Sequence, residues 1–344
     1  MRGFKYLLTV ISLSLAACAG PGTGNYSYSV DKIWDEGTHA AFTSLIDFNG
    51  KYYCSFREGF SHVFDENGNA EGHIRVLASK DGNDWESILD KGLDGIDCRD
   101  PKLCVTPDGR LMVIFGGSLY RNRQLEGQQG YVMFSSDGKS FSEPEPISLS
   151  PDPANESNWL WRVTWYGDTG YGVSYGFGPA GRTLVLYKTN DGVHYDELKS
   201  FDFDGFPNET TLRFLPDGKM LMMVRRDDGD RKGLWGVSEP PYTEWNTSPM
   251  SLQVGGPDFL VLDDGTVLAG TRSYLIGNHC KTIILRGNVE GDFQEVFTLP
   301  SDGDTSYPGL LVVGDELWVS YYSSTGMPGK AAIFLAKLPL SQLM

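Results

Sequence analysis

The chain has 344 residues, a formal net charge of −16 and an isoelectric point near 4.7. An acidic surface of this kind offers no basic stripe to neutralise phosphates, so nucleic acid is excluded as an expected partner. Aromatics at 12 % and 42 glycines suit many short strands and turns in one large all-β domain.

Arg2 and Lys5 precede an apolar run from Tyr6 to Leu15, the charged start and apolar stretch of a secretory leader. Leu15-Ala16-Ala17-Cys18 is similar to a bacterial lipoprotein cleavage box. That likeness implies removal of residues 1–17, acylation of Cys18, and a lipid anchor in the outer or cytoplasmic membrane, with the protein on the periplasmic or cell-surface face. Residues 18–25, glycine-rich from Gly20 to Gly24, read as a flexible tether, and 26–344 as the folded domain. Four more cysteines follow: Cys54, Cys98, Cys104 and Cys280. None forms a Cys-x-x-Cys pair, so no zinc site is expected. An exported location permits a disulfide, and buried thiols are the equal alternative.

Strand-like runs then alternate with turn clusters in six units: 39–87, 99–147, 158–201, 207–245, 255–297 and 306–337. The first three each end in one hairpin pattern. The copies are Ser79-Lys80-Asp81-Gly82-Asn83-Asp84-Trp85, Ser135-Ser136-Asp137-Gly138-Lys139-Ser140-Phe141 and Thr189-Asn190-Asp191-Gly192-Val193-His194-Tyr195. Asp-Gly supplies a tight turn, and the aromatic three residues on can bury against the neighbouring sheet. A hairpin recurring at this period argues for radially stacked sheets. The expectation is an all-β, six-bladed β-propeller of four-stranded antiparallel blades. The sixth unit lacks an outer strand, which Tyr26 to Trp34 can supply, closing the ring and removing an exposed edge.

In such a ring the opening ends of the inner strands converge on one face. The residues there are His39, Arg99 with Asp100, Trp159 with Arg162, Glu209, Asp258 and Tyr307. Glu209 opens one inner strand and Arg225 ends the next strand back, which places the two side by side. Asp304-Thr305-Ser306-Tyr307-Pro308-Gly309 opens the last inner strand.

These motifs resemble the sialidase (neuraminidase) superfamily. The Asn208-Glu209…Leu215-Pro216-Asp217-Gly218…Arg225 pattern and the late Tyr307 are similar to the family's, and the Asp-Gly hairpins match its Asp-boxes (BNR repeats). The resemblance implies that Tyr307 is a nucleophile, Glu209 its base, and Arg225 and Arg272 two members of an arginine triad. The chemistry is consistent: arginine forks bind a sugar carboxylate, and a neutral phenol attacks where a carboxylate would be repelled. A phenol needs a neighbouring base, because its reference pKa is about 10. The family opens its first inner strand with Arg-Ile-Pro. Here Ala41-Phe42-Thr43-Ser44-Leu45 stands in that place, leaving Arg57 as the substitute arginine.

The general acid has two candidates. His62 falls near the family's segment bearing a catalytic Asp, and Asp100 lies in Arg99-Asp100-Pro101, which resembles an element of five-bladed propeller glycosidases. Arg99, Arg162 and Trp159 are candidate sugar contacts, an indole face being a good platform for a sugar ring. His39 is a further candidate contact, or a satisfied structural histidine. No metal site and no cofactor is expected, since neither a calcium loop nor a phosphate-cradling glycine loop occurs. The expected partner is carbohydrate, and the expected activity is exo-glycoside hydrolysis of a terminal acidic sugar. The alternatives are the same ring acting as a glycosidase or polysaccharide lyase on a uronate, rhamnose or arabinose, or a glycan-binding lipoprotein without turnover.

Overall fold

The computed structural model describes residues 27–151, 157–178, 181–274 and 279–344. The expected leader, the expected lipidation site Cys18 and the expected tether lie outside the described residues. Strand β1 (Ser29–Trp34) is the outer strand of the last blade. Blade 1 holds β2 (His39–Phe48), β3 (Lys51–Gly59), β4 (Gly72–Ser79) and β5 (Trp85–Lys91). Blade 2 holds β6 (Asp97–Val105), β7 (Leu111–Arg121), β8 (Gln124–Ser135) and β9 (Glu145–Pro146). The short β10 (Ser148–Ser150) adds in parallel to the outer edge of blade 3, formed by β11 (Ser157–Tyr166), β12 (Thr169–Gly178), β13 (Gly181–Thr189) and β14 (His194–Phe201). Blade 4 is β15 (Pro207–Phe214), β16 (Met220–Arg226), β17 (Lys232–Ser238) and β18 (Asn246–Gln253). Blade 5 is β19 (Asp258–Val261), β20 (Val267–Tyr274), β21 (Cys280–Gly287) and β22 (Gln294–Thr298). Blade 6 is β23 (Thr305–Val313), β24 (Glu316–Ser323) and β25 (Ala332–Pro339), completed by β1.

Each inner strand packs against those of the next blades, in the order β2, β6, β11, β15, β19, β23 and back to β2. The molecule is therefore an all-β propeller with four-stranded antiparallel blades. Middle strands are covered on both faces, so Met220 to Val224 is a continuous buried apolar run and not an alternating one. Ring closure rests on the antiparallel pairing of β1 with β25, from Ser29 opposite Lys337 to Trp34 opposite Ile333. A polar latch adds to it. Trp34 Nε1 and Thr38 Oγ1 donate to one oxygen of the buried Glu58, at 3.0 and 2.7 Å, and Arg75 Nε donates to the other at 2.6 Å.

The three Asp-Gly turns are alike in detail. Gly138 N donates to Ser135 Oγ at 2.9 Å, while Lys139 N and Ser140 N both donate to Asp137 Oδ1 at 2.8 Å. Asp81 and Asp191 hold their own turns in the same way. Each turn glycine has positive φ and abuts the preceding blade. A Cβ on Gly82 would lie 2.2 Å from the Trp318 ring, and one on Gly138 2.1 Å from the Tyr53 hydroxyl. The four cysteines among the described residues are free thiols, Cys54 and Cys98 buried.

A second feature repeats at the other end of the blades. Every inner strand carries a two-against-one irregularity near its start. The doubled residues are Phe42-Thr43 in blade 1, Asp100-Pro101 in blade 2, Trp161-Arg162 in blade 3, Asn208-Glu209 in blade 4 and Tyr307-Pro308 in blade 6. In blade 5, Arg272 N bonds Gly255 O and Asp258 pairs with Gly270, leaving Gly256-Pro257 against Thr271. Phe42, Asp100 and Tyr307 have φ of +68°, +50° and +47°. Such left-handed non-glycine residues are costly and concentrate where a side chain must be re-aimed.

Candidate active site

The bulges turn side chains from distant parts of the chain towards one cavity of about 200 Å³ at the ring mouth. Phe42, Asp100, Glu209 and Tyr307 line it from four bulges, joined by His62, Arg99 and Trp159. Its rim is completed by Ser118, Tyr120, Gln128 and Tyr175. A larger groove of about 590 Å³, between Trp34 and Arg75, is lined by the saturated Glu58 latch together with Glu36, Asp65, Glu71 and His73.

At the cavity floor the Tyr307 hydroxyl donates to Glu209 Oε1 at 2.5 Å. Arg225 Nη1 donates to Glu209 Oε2 at 2.8 Å and to the Tyr307 oxygen at 2.9 Å. The bulge of β15 makes this possible, since Asn208 and Glu209 together face Arg225 on β16. Asp227 Oδ1 fixes the other side of Arg225 at 2.9 Å, and Asn208 donates to the same carboxylate at 2.7 Å. Gly256 N supplies a further donor to Glu209 Oε2 at 2.9 Å. The tyrosine ring lies directly on Gly256, where a Cβ would come within 2.5 Å of it. Only glycine serves here, at φ +57° and with an aromatic face on its α-carbon.

The charges follow from these contacts. Burial opposes ionisation of Glu209, but Arg225 and the hydrogen bonds from Tyr307 and Gly256 outweigh it and hold the carboxyl below its ordinary value. Burial, and then the Glu209 charge, push the Tyr307 phenol well up, with Arg225 and Arg272 in opposition. The pair is thus a neutral phenol donating to an ionised carboxylate, with a guanidinium touching both. Burial also raises the Asp100 carboxyl, against the pull of Lys102 and Arg99. Its Oδ1 is buried without a partner among the described residues.

A second network stands beside the first. Asp304 Oδ2 pairs with His62 Nδ1 at 2.6 Å and with His39 Nε2 at 2.9 Å. Asp304 Oδ1 accepts from Tyr322 Oη at 2.7 Å and from Arg272 Nη2 at 3.4 Å. Arg272 also donates to Thr305 O at 2.8 Å and stands 5.3 Å from the centre of the Tyr307 ring. His39, His62 and Asp304 are the one group of three metal-type donors among the described residues, mutually within 4.8 Å. Their facing atoms are already paired with one another, and the Arg272 cation sits against the carboxylate. The group is a hydrogen-bonded triad in which a positive charge is already present.

Most sequence-selected residues meet here: Tyr307, Glu209, Arg225, Arg272, Asp100, Arg99, His62 and Trp159. Three require correction as sugar contacts. Arg57 is fully buried on the second strand of blade 1, donating to Asp97 Oδ1 at 2.7 Å and to Ser61 O at 2.8 Å. Phe42, from the segment that stands in place of Arg-Ile-Pro, occupies the cavity edge, and Arg99 stacks over its ring at 5.0 Å. Arg162 points into the ring interior, paired with Asp258 Oδ2 at 3.2 Å. His39 is 2 % exposed and lies behind Asp304, outside the cavity lining. Residues given no role from sequence include Asp304, Phe42 and Lys102. Lys102 donates to Thr43 O at 3.0 Å beneath the Trp161 and Tyr307 rings, and burial brings its pKa down to about 8.

No family model and no curated protein matches the chain. Solved structures do. A Dyadobacter fermentans protein of unknown function superposes with TM-score 0.73 at 20% identity, over 90% of this chain and 99% of that one. Trypanosoma rangeli sialidase in complex with sialic acid gives 0.69 at 12% identity, over 92% of this chain and 59% of that one. The α-L-arabinofuranosidase Arb93A of Fusarium graminearum gives 0.68 at 15% identity, over 93% and 100%. At such identities the likeness establishes the propeller fold and that glycosidases share it.

Proposed function

We propose that the protein is a sialidase-like exo-glycoside hydrolase in which Tyr307 is the nucleophile and Glu209 its base. The contact that carries this reading is the Tyr307–Glu209 hydrogen bond of 2.5 Å under Arg225. A phenol is a poor nucleophile until its proton leaves. Glu209, held ionised, takes that proton as the oxygen attacks the anomeric carbon, and Arg225 stabilises the phenolate that forms and later departs. An open-mouthed cavity of about 200 Å³ is of a size for a single terminal sugar ring. Asp100 and His62 both line it as proton donors to the leaving oxygen or partners of the sugar hydroxyls.

The sugar class has two readings. Arg225, Arg272 and Arg99 favour an acidic sugar. The withdrawal of Arg57 and the Phe42 ring at the cavity edge favour the same chemistry on a neutral one. A panel of 4-methylumbelliferyl glycosides of sialic acid, glucuronic acid, L-rhamnose and L-arabinofuranose tests both. Release of the fluorophore from one, abolished in Tyr307→Phe and Glu209→Gln with folding intact, is the expected outcome. Full activity in both variants removes the assignment. A lyase would instead create an unsaturated product absorbing in the ultraviolet. We further propose that Cys18 carries a lipid anchor, tested by radiolabelled palmitate incorporation that Cys18→Ser abolishes.

A further inference from the structure

Two side chains in the cavity are chemically able to protonate the leaving oxygen, and the structure distinguishes them by position. An exo-acting pocket holds its sugar towards the floor, and the leaving group departs through the open mouth. Asp100, Glu209 and Tyr307 are all under 8 % exposed, whereas the His62 side chain is 47 % exposed. We infer that His62 is the proton donor to the departing oxygen, positioned by Asp304 and His39, and that Asp100 binds the sugar; this rests on the hydrolase reading above.

The geometry around the imidazole supports the role. His62 Nδ1 is committed to Asp304 at 2.6 Å, which leaves Nε2 for the substrate. The Phe42 ring meets the imidazole edge to face at 5.4 Å and limits its rotation. Asp304 is held ionised against burial by the hydrogen bonds from His39 and His62 and by the Arg272 charge. Burial keeps His39 neutral by lowering its pKa. A neutral His39 with no partner at Nδ1 among the described residues carries its proton on Nε2 and donates it to Asp304. One carboxylate thus faces a neutral buried imidazole on one side and the cavity imidazole on the other. The titratable groups facing His62 are Asp304, His39 and Asp100, with Arg272 and Tyr322 acting through Asp304. This is the carboxylate–histidine arrangement that orients an imidazole and fixes which ring nitrogen faces the substrate.

The steps balance. The Tyr307 oxygen bonds the anomeric carbon as its proton passes to Glu209. The glycosidic C–O bond breaks, and its electron pair takes the proton from His62 Nε2. Neutral His62 then removes a proton from water, the hydroxide oxygen bonds the anomeric carbon, and the tyrosine oxygen leaves and recovers its proton from Glu209. The net change is hydrolysis, with no oxidant or further reactant.

Leaving-group dependence tests the assignment, because a good leaving group needs no proton. The probes are the phenyl and 2,4-dinitrophenyl glycosides of whichever sugar the wild-type full chain cleaves in the panel above. In His62→Ala, kcat/KM, which reports the bond-breaking half of the cycle, should fall by about 10²- to 10⁴-fold for the phenyl glycoside and by less than about tenfold for the dinitrophenyl one. Asp100→Asn should lose similar activity towards both. Asp304→Asn, which frees the imidazole to turn, should lower kcat/KM for the phenyl glycoside more than for the dinitrophenyl one, a split that a merely structural carboxylate would not cause. An equal loss with both leaving groups in His62→Ala, or leaving-group dependence in Asp100→Asn, overturns the assignment while leaving the hydrolase reading intact. A wild-type protein inert on the whole panel overturns both.

Discussion

Two local features repeat around this ring, and they repeat differently. The Asp-Gly turns of blades 1, 2 and 3 conserve both geometry and residue type: an aspartate holding two backbone amides, a positive-φ glycine, and a docking contact on the preceding blade. The inner-strand bulges conserve geometry alone. The first doubled residue is Phe42, Asp100, Trp161, Asn208, Gly256 and Tyr307 in turn. A turn that needs one side chain to satisfy its own backbone selects the same residue each time. A bulge that only aims a side chain leaves the residue free to differ, and the differences assemble a phenol, carboxylates and an apolar edge at one mouth. Repetition of residues marks architecture here, and repetition of backbone with varied residues marks the site.

The strongest way to break this distinction is to cut a bulge side chain and a turn side chain of similar size. Glu209→Gln should lower kcat by about 10²- to 10⁴-fold in a protein that still folds at neutral pH, checked by kinetics and calorimetry on the same samples. Glycines sharpen it next. Gly256→Ala pushes a methyl into the Tyr307 ring, and a displacement of about 1 Å at a reacting group can cost about 10²-fold in rate. Gly82→Ala pushes one into Trp318 at the outer rim. It should destabilise by about 1–3 kcal/mol through overpacking and leave kcat unchanged.

A pH series separates the two regions again. The folded-state pKa of Glu209 lies below its ordinary 4.5. The stability it contributes is therefore present above about pH 4.5 and lost as pH falls through the folded value. Wild type should lose more thermal stability between pH 5 and pH 3 than Glu209→Gln does, and activity should keep its base ionised down to the acid edge of that window. The smallest effect belongs to Asp137→Ala. It should lower the melting temperature by a few degrees and leave kcat/KM within error, since the carboxylate serves only the amides of Lys139 and Ser140 and its own turn.

The sequence made some of this legible and hid the rest for physical reasons. The blades were readable because each hairpin is local and its turn chemistry is written within seven residues. Glu209 and Arg225 were readable as neighbours because antiparallel pairing joins them across one turn. Asp304 stood beside Tyr307 in the opening of the last inner strand, yet its role depends on His39 and His62, which lie 265 and 242 residues away along the chain. Ring closure alone brings them together, and no local pattern encodes it. Arg57 was misplaced for a different reason. Successive residues on a strand face opposite sides, and in its register, opposite Ala41, the guanidinium turns towards Asp97 and away from the mouth. The positive φ of Phe42 and Asp100 carries no sequence signal beyond the proline after Asp100.

The account turns on Tyr307 forming a bond to sugar carbon. A fluorosugar with a fluoride leaving group, built on the sugar that the panel identifies, slows release of that intermediate. Intact mass and peptide mapping should then show one fluorosugar increment on the peptide containing Tyr307, absent in Tyr307→Phe. An increment on the Glu209 or Asp100 peptide, or turnover of the natural substrate to a product of inverted anomeric configuration, would contradict it.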